Sequence, residues 1–586
     1  MRRASDYFGL SGPIEFAVAA ALLALMIVFK LVNMTRYRFD SDESQHMHVI
    51  WAWARGFVQY RDVFDNHMPL FQIMFAPIFG LIGDRATILY WMRFILLPMY
   101  FVAAWCTYRI GELLFSRRAG VWAVILVGFY SSYHFVSFEF RPDNLWAPLW
   151  LLCIMVLLGG TVSVRRALIA GLLLGFCFGI SMKSLFLLLS ISVSAPLALF
   201  LVGRKKLGQS WGHLAQCSVA FLFSAALIPV TILLAFALKG IWPEFRYWVF
   251  EHNILPHLNA KNHPAWWIII FPIAFPFVIY AAHLIVRAAP DPGLALRRGF
   301  IFLTCGFYLP GLISFWNLAT RQDYLPFDPL AFVLYSGGLL AVSNWLATCY
   351  FGVSQVLWRV MLPGSIALLE FFISLGSRPF WEGAADREAM LLRGVLTLTE
   401  PGEYVFDCKG EMIFRQRCFG PILEPITLER IRRGMILENI VQRCIETHTC
   451  VAKTSMRVPY TARQFLKQNY LLVERDLRVL GKVLKPSSKD NTRMDFEVVI
   501  PESYVIIAPD NQVSGLLDGT PYTGARFLEP GRHNFVATAS GSSFFLLWSR
   551  AAERHFAPFG PNIPPARIRY FVGRSDSNFQ IKGELA

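Results

Sequence analysis

Apolar residues recur along the chain in long runs from about residue 14 to about residue 375, and polar sequence follows. A helix that crosses a bilayer needs roughly 20 mostly apolar residues. The runs 14–34, 87–110, 119–138, 144–163, 167–184, 185–203, 213–238, 266–287, 299–318, 328–348 and 354–375 meet or approach that length, so the pattern predicts a polytopic α-helical membrane protein with about 11 spans. The first run follows Arg2 and Arg3 and has a cleaved signal peptide as its rival reading. It is longer than a signal core and no small-x-small site follows it, which favours an uncleaved span. The stretch 167–203 lies between two basic clusters and must cross twice or not at all. Two short spans at ~1.5 Å rise per residue fit, with Lys183 at their outer turn.

Two other regions break the pattern. Residues 35–86 are long for a connector and semi-apolar, with Trp51, Trp53, Phe57, Phe71 and Phe75; they read as one or two amphipathic helices on the membrane surface. After residue 377 helix-like and strand-like patterns mix. Residues 395–398 and 404–406 read as short strands around Pro401-Gly402, 460–467 as a helix, and 495–550 as strands joined by Gly/Pro turns. Three regions follow: 1–377 in the membrane, 378–493 of α/β character, and 494–586 rich in β-structure.

Composition agrees: 55% of the 586 residues are hydrophobic and only 16% charged, against roughly 25% charged in a soluble domain. The net charge of +15 raises nucleic acid as a partner, but its distribution excludes it. Arg117/Arg118, Arg165/Arg166, Arg204/Lys205/Lys206 and Arg287/Arg297/Arg298 fall in short loops on the side of the N-terminus, which is the positive-inside pattern of a membrane protein. No basic stripe interleaves with exposed aromatics as a binding groove requires. The expected arrangement is an inner-membrane, multi-pass protein with a cytoplasmic N-terminus and an extracytoplasmic C-terminal region. There Cys408, Cys418, Cys444 and Cys450 are permitted to form disulfides.

Candidate chemistry gathers at the outer boundary. Asp40-Ser41-Asp42-Glu43 follows the first span. Three carboxylates so close repel, which favours raised pKa values or a bound cation and suits a general base; a solvated helix cap by Ser41 or Asp42 is the plain alternative. Tyr60-Arg61-Asp62-Val63-Phe64-Asp65-Asn66-His67-Met68-Pro69-Leu70 places His67 before an apolar run, as a site or as a turn with Pro at a helix start. Arg141-Pro142-Asp143 lies at the end of the third span, where Asp143 serves as a site residue or a cap and Arg141 holds a phosphate or pairs with a carboxylate. Lys183 is an ionisable residue amid apolar sequence, there for function or snorkelling to the surface. Arg321 and Tyr324 occupy the last outer turn, as site residues or interfacial anchors. His252, His257 and His263 share a loop but lack the spacing of a helical ligand pair. No P-loop, GxSxG, HExxH or GxGxxG pattern occurs.

In order and sidedness these pieces resemble the GT-C glycosyltransferases, and among them the dolichyl-phosphate-mannose–protein mannosyltransferase family with its bacterial relatives, the aminoarabinose transferases of lipid A. The likeness covers residues 10–375. It implies transfer of a hexose or pentose from a polyprenyl-phosphate sugar donor to a lipid, glycan or protein acceptor of the envelope. Asp42 and Glu43 would be the catalytic carboxylates; Asp143, Arg141, His67, Lys183, Arg321 and Tyr324 would bind substrate. The resemblance fixes no cofactor, and a divalent cation is the one candidate. The tail, from Gly515-Leu516-Leu517-Asp518-Gly519 to Glu529-Pro530-Gly531-Arg532-His533, resembles the PEGA β-sandwich repeat, a carbohydrate contact module or a scaffold. Two readings of other classes compete: a lipid-linked sugar transporter or flippase, and a non-catalytic envelope assembly protein.

Overall fold

The computed structural model describes all residues except 1–7, 204–207, 209, 256–265, 317–318, 350–354, 488–490, 510–512, 539–542 and 560–586. The chain forms two compact units. The first contains 1–396, 400–403 and 407–440; the second contains 397–399, 404–406 and 441–586.

Each apolar run of the first unit is helical. The order is α1 Pro13–Arg36, α2 Ser41–Ala54, α3 Leu70–Ile82, α4 Ile88–Leu114, α5 Arg117–Phe129, α6 Ser131–Val136, α7 Asp143–Leu158, α8 Val164–Ile180, α9 Ser184–Val202, α10 Trp211–Leu238, α11 Trp242–Phe245, α12 Trp266–Arg287, α13 Pro292–Phe315, α14 Asp328–Cys349 and α15 Gln355–Ser377. Among the described residues seven stretches are helical, long and apolar enough to cross a membrane, in α1, α4, α9, α10, α13 and α14 and from residue 358 onward. The run 119–138 is not one helix but two, α5 and α6, parted at Tyr130, whose φ/ψ of −54°/114° leaves the helical region. The stretch 167–203 forms α8 and α9 with Lys183 at the turn between them.

Glycine brings α8 and α10 together. A Cβ added at Gly171 would collide with the Phe221 carbonyl oxygen, and one at Gly175 would stand 2.9 Å from that of Ala225. Small residues four apart let two membrane helices approach at backbone distance.

The basic helix ends meet one another. Arg118 at the start of α5 donates to the buried Glu15 of α1 (2.7 Å) and to the Arg359 carbonyl (2.9 Å). His213 of α10 contacts the Val162 carbonyl (3.0 Å), and Arg298 of α13 donates to that of Leu114 (2.8 Å). These contacts tie the N-terminal end of α1 to that of α5, that of α10 to the loop after α7 and that of α13 to the C-terminal end of α4, and the acidic turns lie at the opposite ends of the helices. The loop 35–86, expected to hold one or two amphipathic helices, carries α2 and α3; α2 is buried on every side from Glu43 to Ala52 rather than amphipathic.

The first unit runs past the apolar sequence, into 407–440. Polar contacts explain this: His48 Nδ1 of α2 hydrogen-bonds the Ile413 carbonyl (2.9 Å), and Arg430 Nε donates to that of His252 (3.2 Å). Residues 395–398, expected to be a strand, close the helix α16, Asp386–Leu398. Leu391, Leu392, Val395 and Leu398 are buried, and that spacing is one face of a helix.

In the second unit the strand Tyr404–Phe406 runs parallel to Val451–Ala452, which pairs antiparallel with Arg478–Leu484. The sheet continues through Phe544–Trp548, Glu502–Ile507 and Arg526–Leu528. A second antiparallel sheet orders Arg493–Val498, Gly531–Ala537, Gly515–Leu517 and Thr520–Pro521. The Asp518-Gly519 turn between the last two has φ of +50° and +76°, the backbone that a two-residue hairpin turn requires. The helix expected at 460–467 is Tyr460–Asn469.

Candidate functional site

The acidic segment after the first span gives each carboxylate a different task. Asp40, not Ser41 or Asp42, caps α2: its carboxylate accepts the Asp42 N–H (3.0 Å), while Glu43 Oε1 accepts the Asp40 N–H (2.9 Å). Glu43 is fully buried. Its two oxygens receive Arg93 Nη2 (2.6 Å), Arg93 Nε (2.8 Å) and the Phe140 N–H (2.8 Å). Arg93 also donates to the carbonyls of Met34, Tyr37 and Arg38 and lies 3.9 Å from the Phe39 ring centroid. Glu43 and Arg93 therefore join the end of α1, the start of α2, α4 and the turn 137–142.

Asp42 points elsewhere and keeps some exposure. Its Oδ2 is 2.8 Å from Arg141 Nη1, and its Oδ1 is paired with the ammonium of Lys409. Burial alone would raise the Asp42 carboxyl, but Arg141 and Lys409 hold it well below the usual carboxylate range. This corrects the expectation of a raised pKa, since two cations replace the carboxylate repulsion that the sequence suggests.

From Asp42 the charges run on as a chain. Arg141 is buried, with Asp40 at 3.5 Å, Asp143 at 3.6 Å and Glu139 at 3.9 Å besides Asp42. Lys183 Nζ lies 3.0 Å from Asp143 Oδ1 and pairs with Asp323 Oδ1. Asp323 is buried, and its other oxygen accepts the Thr320 N–H (2.8 Å). Its peptide carbonyl takes the Tyr308 hydroxyl (2.7 Å). Arg321 and Tyr324 are half-buried at the two ends of the same short 3₁₀ turn.

A histidine pair borders this chain. His46, one helical turn after Asp42, is buried, and its ring meets that of His67 edge to face at 4.6 Å. Burial, then His67 and Arg141, holds the His46 imidazole neutral, well below its ordinary value. His67 Nδ1 is 2.8 Å from Asp65, which is buried and also accepts from Gln59 (2.7 Å) and Gln72 (2.9 Å). Asp65 thereby fixes the ring and leaves Nε2 as the outward nitrogen, while His67 keeps a third of its side chain exposed.

Of the residues singled out in the sequence, Asp42, Arg141, Asp143 and Lys183 come together directly. His67 reaches them through His46, and Arg321 and Tyr324 share the short turn that carries Asp323. Glu43 lies beside the cluster but faces Arg93. Four residues were missed: His46, Asp323, Lys409 and Arg93. The i, i+4 spacing of Asp42 and His46 and the lone Arg93 inside an apolar run were available signals; Lys409 had none. Among the described residues no group of three or more His, Cys, Asp or Glu is gathered as a metal site. His252 is buried 3.4 Å from Glu424, and His257 and His263 lie outside the described residues.

The helical first unit, with its acidic turns at one end of the helices, has the GT-C fold. Residues 66–228, which carry His67, Arg141, Asp143 and Lys183, match the family model of dolichyl-phosphate-mannose-protein mannosyltransferase. The structure is similar to ArnT from Cupriavidus metallidurans in the apo state (TM-score 0.51, 12% identity, covering 79% of this chain and 98% of that one). It is equally similar to the same protein bound to undecaprenyl phosphate (TM-score 0.51, 12% identity, 79% and 97% covered). No curated protein sequence matches the chain.

Proposed function

We propose that the chain is a glycosyltransferase that moves a sugar from a polyprenyl-phosphate donor to a hydroxyl or amine acceptor of the envelope on the extracytoplasmic face. The observation that carries this reading is the position of Asp42: a partly exposed carboxylate held ionised by Arg141 and Lys409, at one end of a chain of cations and carboxylates that reaches Lys183. An ionised carboxylate is the form a general base needs. Cations set where a phosphate departs stabilise the charge that develops there.

In the proposed step the acceptor's nucleophilic atom attacks C1 of the sugar and its proton passes to Asp42. The bond from C1 to the phosphate oxygen breaks, and the electron pair leaves with the polyprenyl phosphate. Arg141, Lys183 and Arg321 face the leaving phosphate; His67, through its outward nitrogen, and Tyr324 contact donor or acceptor; Asp143 holds Lys183 and Arg141 in place. Glu43 supports the reaction through Arg93 and the turn 137–142, because its lone pairs are taken up by three donors besides the Asp40 N–H.

Replacing Asp42 by Asn keeps the shape and removes the base. Transfer of labelled sugar from a polyprenyl-phosphate donor to envelope acceptors in membranes is expected to fall by 10²-fold or more, at normal protein levels. Wild-type transfer by D42N would end the assignment of the site, and mass spectrometry of envelope glycans and lipids from a deletion strain would identify sugar and acceptor.

A further inference from the structure

Lys409 enters the site from beyond the last apolar run, on a segment the chain takes care to build. The buried Asp407 carboxylate accepts the N–H groups of Gly410 and Met412 (both 2.7 Å) and Arg417 Nε (2.9 Å). Arg417 ties the loop further through the carbonyls of Asp407, Cys408, Gly420 and Pro421. Gly410, at φ +82°, lies so close to α2 that a Cβ there would stand 2.9 Å from that of His48. The loop is thus seated on the helix that carries Asp42, and Lys409 is its buried cation.

The three cations of the site differ in how firmly they are held. Arg141 has four carboxylates within 4 Å. Lys183 lies between two, Asp143 and Asp323. The Lys409 ammonium has Asp42 alone as its carboxylate partner among the described residues, at the end of a flexible four-carbon stem; the Glu411 carboxylate takes the Lys409 backbone N–H instead (2.7 Å). An incoming phosphate competes for each cation against the carboxylates already there, so Lys409 is the one it displaces most readily. The exchange has a second effect, because the ammonium sits on Asp42 Oδ1, an oxygen a general base would use.

We infer that Lys409 is a switching cation: it covers Asp42 while the site is empty and passes to the donor's phosphate when the donor binds, so that Asp42 opens to the acceptor only in the presence of donor. This rests on the proposed function and deepens it by naming a residue outside the helical repertoire and an order of binding, donor before acceptor. It also gives a reason why such a site would not deprotonate water or acceptor without a donor in place.

Undecaprenyl phosphate is the probe, titrated against the purified full-length chain in lipid nanodiscs, with melting temperatures to verify folding. K409M is expected to weaken binding tenfold or more, and K409R to restore it to within about threefold of wild type. D42N releases Lys409 from its competitor and is expected to tighten binding several-fold. In the K409M background D42N is expected to tighten it less, because whatever gain remains there belongs to Arg141; a double-mutant cycle isolates the coupling. Equal tightening in both backgrounds, or wild-type affinity in K409M, overturns the inference. If K409M fails to fold, K409R and D42N decide: the inference falls if D42N does not tighten binding. Absence of saturable binding to the wild type would instead overturn the donor reading itself. Saturable binding with D42N inactive in transfer and an additive cycle would leave that reading standing and remove only the role of Lys409.

Discussion

Neighbouring carboxylates in one sequence motif can have opposite fates, and here the difference is set by what each side chain reaches. Glu43 ends in a buried pair with Arg93, whereas Asp42, partly exposed, ends between Arg141 and Lys409. Removing one member of a buried ion pair leaves the other unpaired and costs about 3–5 kcal/mol. Glu43→Gln is therefore expected to lower the melting temperature and protein yield more than Asp42→Asn, whose carboxylate is partly exposed, whereas Asp42→Asn removes transfer; thermal unfolding in detergent beside the transfer assay separates the two. Glu139 adds a pH dependence. Burial, then Asp40, pushes its carboxyl from 4.5 up to about 8, against the pull of Arg141. The folded state then binds a proton that the unfolded state has released. This stability is fully present below about pH 4.5 and is lost as pH rises through about 8. Melting temperatures across that window should decline with rising pH, and Glu139→Gln should flatten the decline. At this scale the sequence placed Asp42, Arg141, Asp143 and Lys183 correctly at one end of the helices. It could not tell Glu43 from Asp42, because the partner that separates them, Arg93, lies 50 residues on.

Among elements, two local devices hold the site. The capping box of α2 sets where that helix starts, and so the angle from which Asp42 leaves it. Loss of such a cap costs about 1 kcal/mol. Asp40→Ala is expected to lower kcat several-fold as α2 frays, and Asp40→Asn, which can still cap, to retain most activity; a kcat comparison of the two at equal protein levels checks this. The other device is the close crossing of α8 and α10 at Gly171 and Gly175, since α8 leads directly into Lys183. Element types were legible wherever a pattern was long, as in the helices of the first unit and the strands of 495–550. Short patterns were less dependable: 404–406 is the strand expected, but 395–398 is not. Residues 395–398 are apolar enough to read as a strand, and only the preceding turn of α16, with Leu391 and Leu392 on the same face, reveals the helical period. The break at Tyr130 was invisible for a related reason: apolar composition runs through it unchanged, although the backbone turns.

For the molecule as a whole, sidedness is the property that charge counting and geometry approach from different directions. Loop charges assign Arg117, Arg165 and Arg298 to one side of the membrane. Contacts independently join Glu15 to Arg118, Val162 to His213 and Leu114 to Arg298 at the basic helix ends, and the acidic turns with Asp42, Asp143 and Asp323 stand at the other ends. What neither supplies is the compartment each end faces, because a helical bundle and its inverted copy have identical internal contacts. From the positive-inside rule we propose that the basic ends are cytoplasmic and the site extracytoplasmic. Single cysteines placed at Arg165 and at Lys239, in a background lacking the exposed Cys349, test it. In intact spheroplasts a membrane-impermeant maleimide should label the cysteine at 239 and not that at 165, and after lysis it should label both. The reverse pattern would put Asp42 in the cytoplasm, on the wrong face for the proposed acceptors.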